Sequence, residues 1–206
     1  MSLWAIVPVK PIRRGKSRLS EILSEEERAK LNHQLFIHTI EILKQVKAVS
    51  DILVVSRDSD VLTEARELDV RTVTENGTPE LNPALYRASL FSKAFSTEGV
   101  MIVPADLPLL TPEDVEAFLG KRSQAPEVII APDRHGKGTN MLFANPADIL
   151  TFSYGDDSLA RHSELAKAKG AHLIVVENER IGLDLDIPED YDLLKARHSL
   201  PVLPVD

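Results

Sequence analysis

The sequence predicts an α/β fold in which a mostly parallel sheet carries helices on both faces. Three observations lead to this prediction: short apolar runs recur along the chain, amphipathic segments separate them, and the two kinds of segment alternate from end to end. Runs that are apolar on both faces are typical of buried parallel strands. Their alternation with helices favours crossover connections between the strands.

Local signals place the individual elements. Seven apolar runs are predicted strands, at residues 3–9, 51–56, 70–74, 99–105, 127–132, 140–145 and 171–177. The first helix follows a capping box formed by Ser24 and Glu27, and another follows Thr111, with Pro112 at its first position. Shorter helices are expected near residues 58–68, 82–96, 158–169 and 188–197.

The chain has the size and composition of one domain. Its 206 residues are 43% hydrophobic and 27% charged, and no linker or repeat divides them. We therefore expect a single domain over residues 1–206. Residues 199–206 are expected to form an extended tail, because Pro201 and Pro204 oppose regular structure. The apolar character of this tail leaves a homodimer possible.

Charge and residue content exclude several classes of protein. A net charge of -8 argues against a broad surface for nucleic acid or anionic membrane. The chain has no cysteine, which excludes disulfides and thiolate metal sites. The opening apolar run, residues 3–9, is shorter than a signal segment, and no run approaches the length of a membrane span. A soluble, cytoplasmic protein is expected.

A cationic loop follows the first predicted strand. The stretch VPVKPIRRGKSRL, residues 7–19, contains Lys10, Arg13, Arg14, Lys16 and Arg18. In open α/β sheets, ligands bind beyond the carboxyl ends of the strands, and positive charge there can gather around phosphates. The earlier glycine of a P-loop is absent, so the stretch is not a P-loop. A solvated basic turn is the alternative interpretation.

Acidic side chains follow the apolar segments at two places. Asp106 follows the predicted strand at 99–105, and Asp184 and Asp186 lie two residues apart in GLDLDIPEDYDLL. Carboxylates at such positions suit Mg²⁺, which binds through one or two of them together with substrate phosphates. In an extended segment, side chains two residues apart fall on one face, so Asp184 and Asp186 could address one ion or an ion pair. A turn cap is the alternative for Asp106. The following Pro-Glu-Asp run at 188–190 predicts a helix start and has a structural role.

Two further segments carry small hydrogen-bond donors. In APDRHGKGTNMLF, residues 131–143, glycines allow close approach of the backbone to a ligand, and Thr139 is a small donor. In YGDDSLARH, residues 154–162, Gly155 and Ser158 stand near a predicted helix start, where anions are favoured. A hairpin-like connection with ordinary turn chemistry is the alternative. His162 is either a substrate contact or a structural hydrogen-bonding group.

Together with LNPAL (81–85), PADLPLL and LDLDIPEDY, these motifs resemble those of the CofC-type 2-phospholactate and phosphoenolpyruvate guanylyltransferases of coenzyme F-420 biosynthesis. The resemblance is ordered and spans nearly the whole chain. It implies a Rossmann-like mixed sheet of the nucleotide-diphospho-sugar transferase type, shared with molybdenum-cofactor and sugar-phosphate nucleotidyltransferases. Glu80 and Asp157 stand where the family usually has glycine.

The resemblance also implies roles for individual residues. Lys10, Lys16 and Arg18 would hold the phosphates of GTP, and Asn82 would lie near the nucleoside. Thr139, Gly155 and Ser158 would hold phosphoenolpyruvate or 2-phospho-L-lactate. Asp106, Asp184 and Asp186 would bind Mg²⁺. The catalytic groups would be Lys10, Lys16 and Asp106.

The reaction that the resemblance implies is transfer of GMP from GTP to the phosphate of the acid, with release of pyrophosphate. The attacking phosphate oxygen is already anionic, so catalysis depends on positioning and charge neutralisation rather than on a general base. The expected partners are GTP and a phosphorylated three-carbon acid, with no nucleic acid and no membrane. The alternatives are a nucleotidyltransferase for another acceptor, such as a sugar phosphate or the molybdenum cofactor, a glycosyltransferase, or a non-catalytic nucleotide-binding protein.

Overall fold

A seven-stranded sheet runs through the centre of the molecule. The structure is a computed structural model that describes residues 2–77 and 79–196. The strands are β1 (Leu3–Pro8), β2 (Asp51–Ser56), β3 (Arg71–Thr74), β4 (Gly99–Ile102), β5 (Glu127–Pro132), β6 (Thr139–Asn145) and β7 (His172–Val175). The helices are α1 (Glu25–Gln45), α2 (Ser59–Glu67), α3 (Leu81–Lys93), α4 (Pro112–Leu119), α5 (Ser158–Ala168), α6 (Glu179–Gly182) and α7 (Pro188–Ala196).

The sheet is mixed and mostly parallel. Its strand order is β3-β2-β1-β4-β6-β5-β7, and β6 runs antiparallel to both of its neighbours. β5 and β6 therefore form a hairpin through the turn at 133–138, which is the alternative that the sequence left open for this segment. The parallel pairs place the carboxyl ends of β1, β2, β3 and β4 at one edge of the sheet.

Alternate residues of each strand face two different helical layers. Leu3, Ala5 and Val7 of β1 lie in a buried cluster with side chains of α1, α2 and α4. Trp4 and Ile6 face the other way, into a cluster with side chains of α3 and α5. Helices on both faces and burial of both faces of the central strands confirm the predicted fold class.

A third apolar cluster attaches the irregular segment 183–187, which we call the strap. Leu183 and Leu185 of the strap are buried with Tyr191 and Leu194 of α7 and with leucines of the cationic loop and α1. Apolar side chains thus fix the strap beside the cationic loop, although it pairs with no strand.

An aromatic group covers the side of the sheet beside α3. The Trp4 ring, 2% exposed, lies 5.2 Å from the Phe95 ring and 6.3 Å from the Phe91 ring, measured between centroids. The guanidinium of Arg71, on the edge strand β3, lies 5.0 Å from the Trp4 ring and 4.9 Å from the Phe95 ring. Such contacts stabilise by cation–π attraction.

The local signals placed most elements within a few residues. The predicted capping box forms at Ser24 with Glu27, and the predicted cap at Thr111 forms as part of a second capping box with Asp114. The predicted strand at 99–105 ends earlier, at Ile102, and the short helix α6 and two 3-10 turns in the cationic loop were not predicted. The predicted tail, 199–206, lies outside the described residues. Within 2–77 and 79–196, no helix is long and apolar enough to cross a membrane.

Candidate active site

The candidate site lies where the carboxyl ends of β1 and β4 meet. The two strands are adjacent and parallel, so the loop after β1 and the loop after β4 leave the sheet side by side. The first is the cationic loop, and the second carries Asp106. The strap joins them, since the Leu185 N–H donates to the Asp106 carbonyl at 2.9 Å.

Two side chains that the sequence analysis did not single out hold the cationic loop in place. The Asn32 amide on α1 donates to the Ile12 carbonyl at 2.8 Å, and the Asp58 carboxylate accepts the Ile12 N–H at 3.2 Å. Asn32 also explains the glycine of the loop, because a Cβ on Gly15 would stand 2.6 Å from the Asn32 Nδ2. Neither side chain lies in a motif, so only its packing reveals it.

Lys16 turns inward from the loop. Its backbone is left-handed, with φ 54° and ψ 39°, and its side chain is only 6% exposed. The Lys16 Nζ lies 3.7 Å from Asp106 Oδ2 and donates to the Leu185 carbonyl. One buried ammonium therefore links the loop, Asp106 and the strap.

The other cations of the loop stay at the surface. Lys10, Arg13 and Arg14 are exposed, and no hydrogen bond or ion pair joins their side chains to another described residue. Arg18 is also exposed, and its Nη1 lies 2.7 Å from Asp186 Oδ2. The loop thus presents several cationic groups to solvent beside one that is buried.

Asp106 and Asp184 lie close enough for their charges to interact. Burial, and then the charge of Asp106, raises the pKa of Asp184 to about 6. Asp184 Oδ1 accepts a long hydrogen bond, 3.4 Å, from the Asn140 amide, which also donates to the Ile181 carbonyl at 2.8 Å. Two carboxylates near a buried ammonium form a small set of hard oxygen ligands.

Asp186 points to a different partner. Residues 183–186 form no strand, so the rule that side chains two apart on a strand share a face does not apply, and Asp186 pairs with Arg18. Across the described parts of the chain, no group of three or more His, Asp or Glu side chains is arranged to hold a metal ion. The ligand role of Asp186 stays a prediction.

One predicted acceptor-binding residue, Thr139, contacts a buried imidazole. Thr139 Oγ1 lies 3.0 Å from His162 Nδ1, and His162 Nε2 accepts the Ser153 N–H at 2.9 Å. Nε2 is therefore unprotonated, and Nδ1 donates to Thr139. Burial, followed by the charge of Arg161, lowers the pKa of His162 to about 4. His162 is the structural hydrogen-bonding group that the sequence analysis offered as one of its two interpretations.

Gly155 and Ser158 lie at the turn that leads into α5, the helix that carries His162. Ser158 is buried at the first position of α5, and its N–H donates to the Gly155 carbonyl at 3.1 Å. Gly155 has φ +115°, a conformation that favours glycine. The lysine at 137 joins this turn to the β5–β6 hairpin, because its carbonyl accepts the Leu159 N–H at 3.0 Å.

Asn82 holds the same turn from the other side. Its Oδ1 accepts the Tyr154 N–H at 2.7 Å and its Nδ2 donates to the Tyr154 carbonyl at 3.2 Å. Both polar side-chain atoms of Asn82, which the sequence analysis placed near the nucleoside, thus bind the backbone next to Gly155. Asp157 adopts φ 52°, a left-handed conformation that favours glycine, whereas Glu80 has ordinary extended backbone with φ -133°.

A cavity of about 640 Å³ opens elsewhere, beside α6 and the β5–β6 turn. Its lining includes Arg134, Asn178 and Leu183 but none of Lys16, Asp106 or the predicted acceptor-binding residues. It is therefore separate from the edge at which the loop and the acids meet.

Comparison with known proteins identifies relatives along nearly the whole chain. The family described as "Guanylyl transferase CofC like" matches residues 3–196. The phosphoenolpyruvate guanylyltransferase of Rubrobacter xylanophilus is 35% identical over 99% of this chain and 98% of its own. The 2-phospho-L-lactate guanylyltransferase of Methanocaldococcus jannaschii is 38% identical over 92% of this chain and 81% of its own.

Solved structures share the fold at lower identity. A protein of Desulfovibrio desulfuricans G20 described as a nucleotide-diphospho-sugar transferase superposes with a TM-score of 0.76 at 17% identity, covering 97% of this chain and 89% of that one. A nucleotidyl transferase of Methanothermobacter superposes with a TM-score of 0.66 at 16% identity, covering 95% of this chain and 97% of that one. The mixed seven-stranded sheet is thus the nucleotide-diphospho-sugar transferase type.

Proposed function

The chain belongs to the family of CofC-like guanylyl transferases, and from that premise we propose that it transfers GMP from GTP to the phosphate of a phosphorylated three-carbon acid. The acceptor is phosphoenolpyruvate or 2-phospho-L-lactate, the acids in the names of its relatives. The second product is pyrophosphate. The product of GMP transfer would serve coenzyme F-420 biosynthesis.

The reaction joins two anions. An oxygen of the acceptor phosphate forms a bond to the α-phosphorus of GTP, and the bond from that phosphorus to the bridging oxygen of the leaving pyrophosphate breaks. No proton has to leave the nucleophile, because the phosphate oxygen is already ionised near neutral pH. The work of the protein is to align the two substrates and to offset their repulsion.

The cationic loop supplies the phosphate contacts. Lys10 extends into solvent beside Arg13 and Arg14, where the triphosphate can reach them. Arg18 extends the same cationic surface toward Asp186, and the buried Lys16 adds positive charge beside Asp106. Because Asn32 and Asp58 hold the loop, it can bind phosphates with little reorganisation.

Asp106 and Asp184 fit a magnesium ion. Burial and mutual repulsion raise the pKa of Asp184, so a divalent cation between the two carboxylates would offset unfavourable charge already present. Mg²⁺ bound there would neutralise charge on the triphosphate and on the leaving pyrophosphate. Asp186 would join only by giving up its ion pair with Arg18.

Thr139, Gly155 and Ser158 are suited to the acceptor acid. The backbone at Gly155 leads into the amino-terminal end of α5, an eleven-residue helix whose positive dipole end favours an anion. Thr139 begins the strand whose next residue, Asn140, contacts Asp184. An acceptor held here would lie beside the proposed metal ligands.

The observation that carries the proposal is the meeting of Lys16, Asp106 and Asp184 at one sheet edge in a chain of this family. The test is mass spectrometry of the products formed from GTP, Mg²⁺ and an equal mixture of the two acids. Guanylylated acid and pyrophosphate are expected. In a parallel panel that adds CTP and a sugar phosphate, pyrophosphate release only with the sugar phosphate, or only with CTP, would overturn the assignment of acceptor or nucleotide.

A matched pair of variants ties the activity to the site. Asp106→Asn keeps the shape of the side chain but removes its charge, so turnover should fall by at least about 100-fold if the carboxylate acts on the metal. Asp60→Asn, on the exposed first turn of α2, makes the same chemical change away from the site and should leave turnover unchanged. Equal activity of both variants would contradict the proposed role of Asp106.

A further inference from the structure

The strap needs a support of its own, because it carries Asp184 without belonging to the sheet. On one side it is held by Lys16 and by the carbonyl of Asp106. The buried side chains of Leu183 and Leu185 hold the strap against the core, but they do little to set its backbone conformation, since apolar contacts are not directional. Hydrogen bonds from the opposite side must therefore set its conformation.

Asp190 supplies those hydrogen bonds. This residue lies in the first turn of α7 and is 4% exposed. Its Oδ2 accepts the N–H groups of Asp186 and Ile187, at 3.0 and 2.9 Å. One carboxylate oxygen, at the third position of α7, thus provides the reciprocal half of a capping box and fixes the backbone at the end of the strap.

Arg134 completes the arrangement from the β5–β6 hairpin. Its Nη2 lies 2.7 Å from the other carboxylate oxygen of Asp190, Oδ1, and its side chain is 28% exposed. Its backbone N–H donates to the Gly182 carbonyl at 2.7 Å, immediately before the strap. Arg134 therefore contacts the segment at both ends, by main chain at Gly182 and through Asp190 at Ile187.

The hairpin that carries Arg134 also carries Thr139, one of the proposed acceptor-binding residues. Thr139 follows the turn directly, and the carbonyl at 137 holds the first turn of α5. The Arg134–Asp190 pair is thus a direct, charge-assisted link between that hairpin and the strap.

We infer that Arg134 and Asp190 are positioning residues, which set the place of Asp184 relative to the acceptor-binding hairpin without touching substrate. The inference rests on the proposed function for its catalytic consequence, but the geometry of the strap can be tested alone. Outer groups that orient metal ligands typically change metal affinity or activity by about 10- to 100-fold when removed.

Two variants separate the ion pair from the helix cap. Asp190→Asn retains an oxygen for the N–H groups of Asp186 and Ile187 but loses the charge that faces Arg134. Arg134→Met leaves the cap intact and removes the cation. Both should speed amide hydrogen exchange in the peptide covering 183–188, and both should weaken binding of Mn²⁺ alone, followed by its EPR signal, by about 10-fold.

The kinetic expectation is a fall in kcat of about 10-fold, with the KM for the acceptor acid changed by less than about twofold, because neither residue contacts that acid. Arg134→Lys restores a cation and should recover part of the loss. In the double variant the losses should not add, since either substitution already breaks the pair. Urea unfolding at the assay temperature establishes that each variant is folded.

A second ion pair, in which only the carboxylate is buried, provides the control. The Arg180 guanidinium donates to Asp114 at 2.7 and 2.6 Å and joins α6 to α4 rather than to the strap. Arg180→Met should lower stability while leaving exchange at 183–188, Mn²⁺ binding and kcat unchanged. The inference is overturned if exchange and Mn²⁺ binding are unaltered in the Arg134 and Asp190 variants, or if Arg180→Met reproduces their effects. If the wild-type protein makes no guanylylated acid but the exchange and Mn²⁺ shifts appear, the proposed function fails and the positioning role stands.

Discussion

Lowering the pH from 7 to 4 should destabilise the fold through one buried imidazole. Burial, and to a lesser degree the charge of Arg161, lowers the pKa of His162 from its ordinary 6.5 to about 4. The ring is fully buried, and its Nε2 already accepts the Ser153 N–H. A proton on Nε2 would break that hydrogen bond and place a charge in an apolar setting.

The sign and size of the effect follow from this difference in pKa. Because the folded value lies below the unfolded value, the unfolded chain binds more protons between pH 6.5 and 4. The stabilising effect of neutral His162 is therefore complete above about pH 6.5, declines as the pH falls and is lost below about pH 4. At about 1.4 kcal/mol per pKa unit, the drop from 6.5 to about 4 corresponds to about 3 kcal/mol of unfolding free energy.

Urea unfolding curves at a series of pH values measure this loss. His162→Gln cannot titrate, so between pH 7 and 4 it should lose about 3 kcal/mol less unfolding free energy than the wild type. His135→Gln, at an exposed position, should follow the wild-type profile. Parallel profiles for wild type and His162→Gln, or an NMR titration of His162 near pH 6.5, would refute the reasoning.

Three further substitutions test the loops around the site. Gly15→Ala should raise the KM for GTP and lower the melting temperature, because the added Cβ displaces the Asn32 amide. The hydrogen bond of that amide to the Ile12 carbonyl is worth about 1 kcal/mol. Steady-state kinetics measure the KM, and calorimetry measures the melting temperature. Asn82→Asp keeps the acceptor for the Tyr154 N–H but loses the donor to the Tyr154 carbonyl, so the KM for the acid should rise in steady-state kinetics. An unchanged KM for the acid would contradict the proposal that Asn82 holds the turn at Gly155. Ser24→Ala should cost about 1 kcal/mol in urea unfolding without changing turnover, since it removes only a helix cap.

The fold was predictable because its signals are local. Capping residues and apolar runs act over a few positions, so all seven strands and the longer helices were placed from the sequence. The direction of β6 was not predictable from these signals, since an apolar run shows the same pattern whether its strand is parallel or antiparallel to its neighbours. α6, with four residues, is too short to show a helical period.

The site was predictable where a rule of topology applies. Ligands gather at the carboxyl ends of parallel strands, and this rule correctly brought Asp106 next to the loop that carries Lys16. It gave no information on Asp186, because the strap is not a strand and Asp186 pairs with Arg18, which lies 168 positions away in sequence. Asn32 and Arg134 escaped notice because their partners lie far away in sequence or in another loop.

The aromatic group beside α3 gives the molecule an optical probe of its own. The sequence contains a single tryptophan, Trp4, and its indole is shielded from water by Phe95 and by the guanidinium of Arg71. Emission from the native protein should therefore be blue-shifted and should move to longer wavelength as β1 separates from its neighbours. Since β1 leads directly into the cationic loop, stopped-flow fluorescence can time the assembly of this part of the molecule without any label.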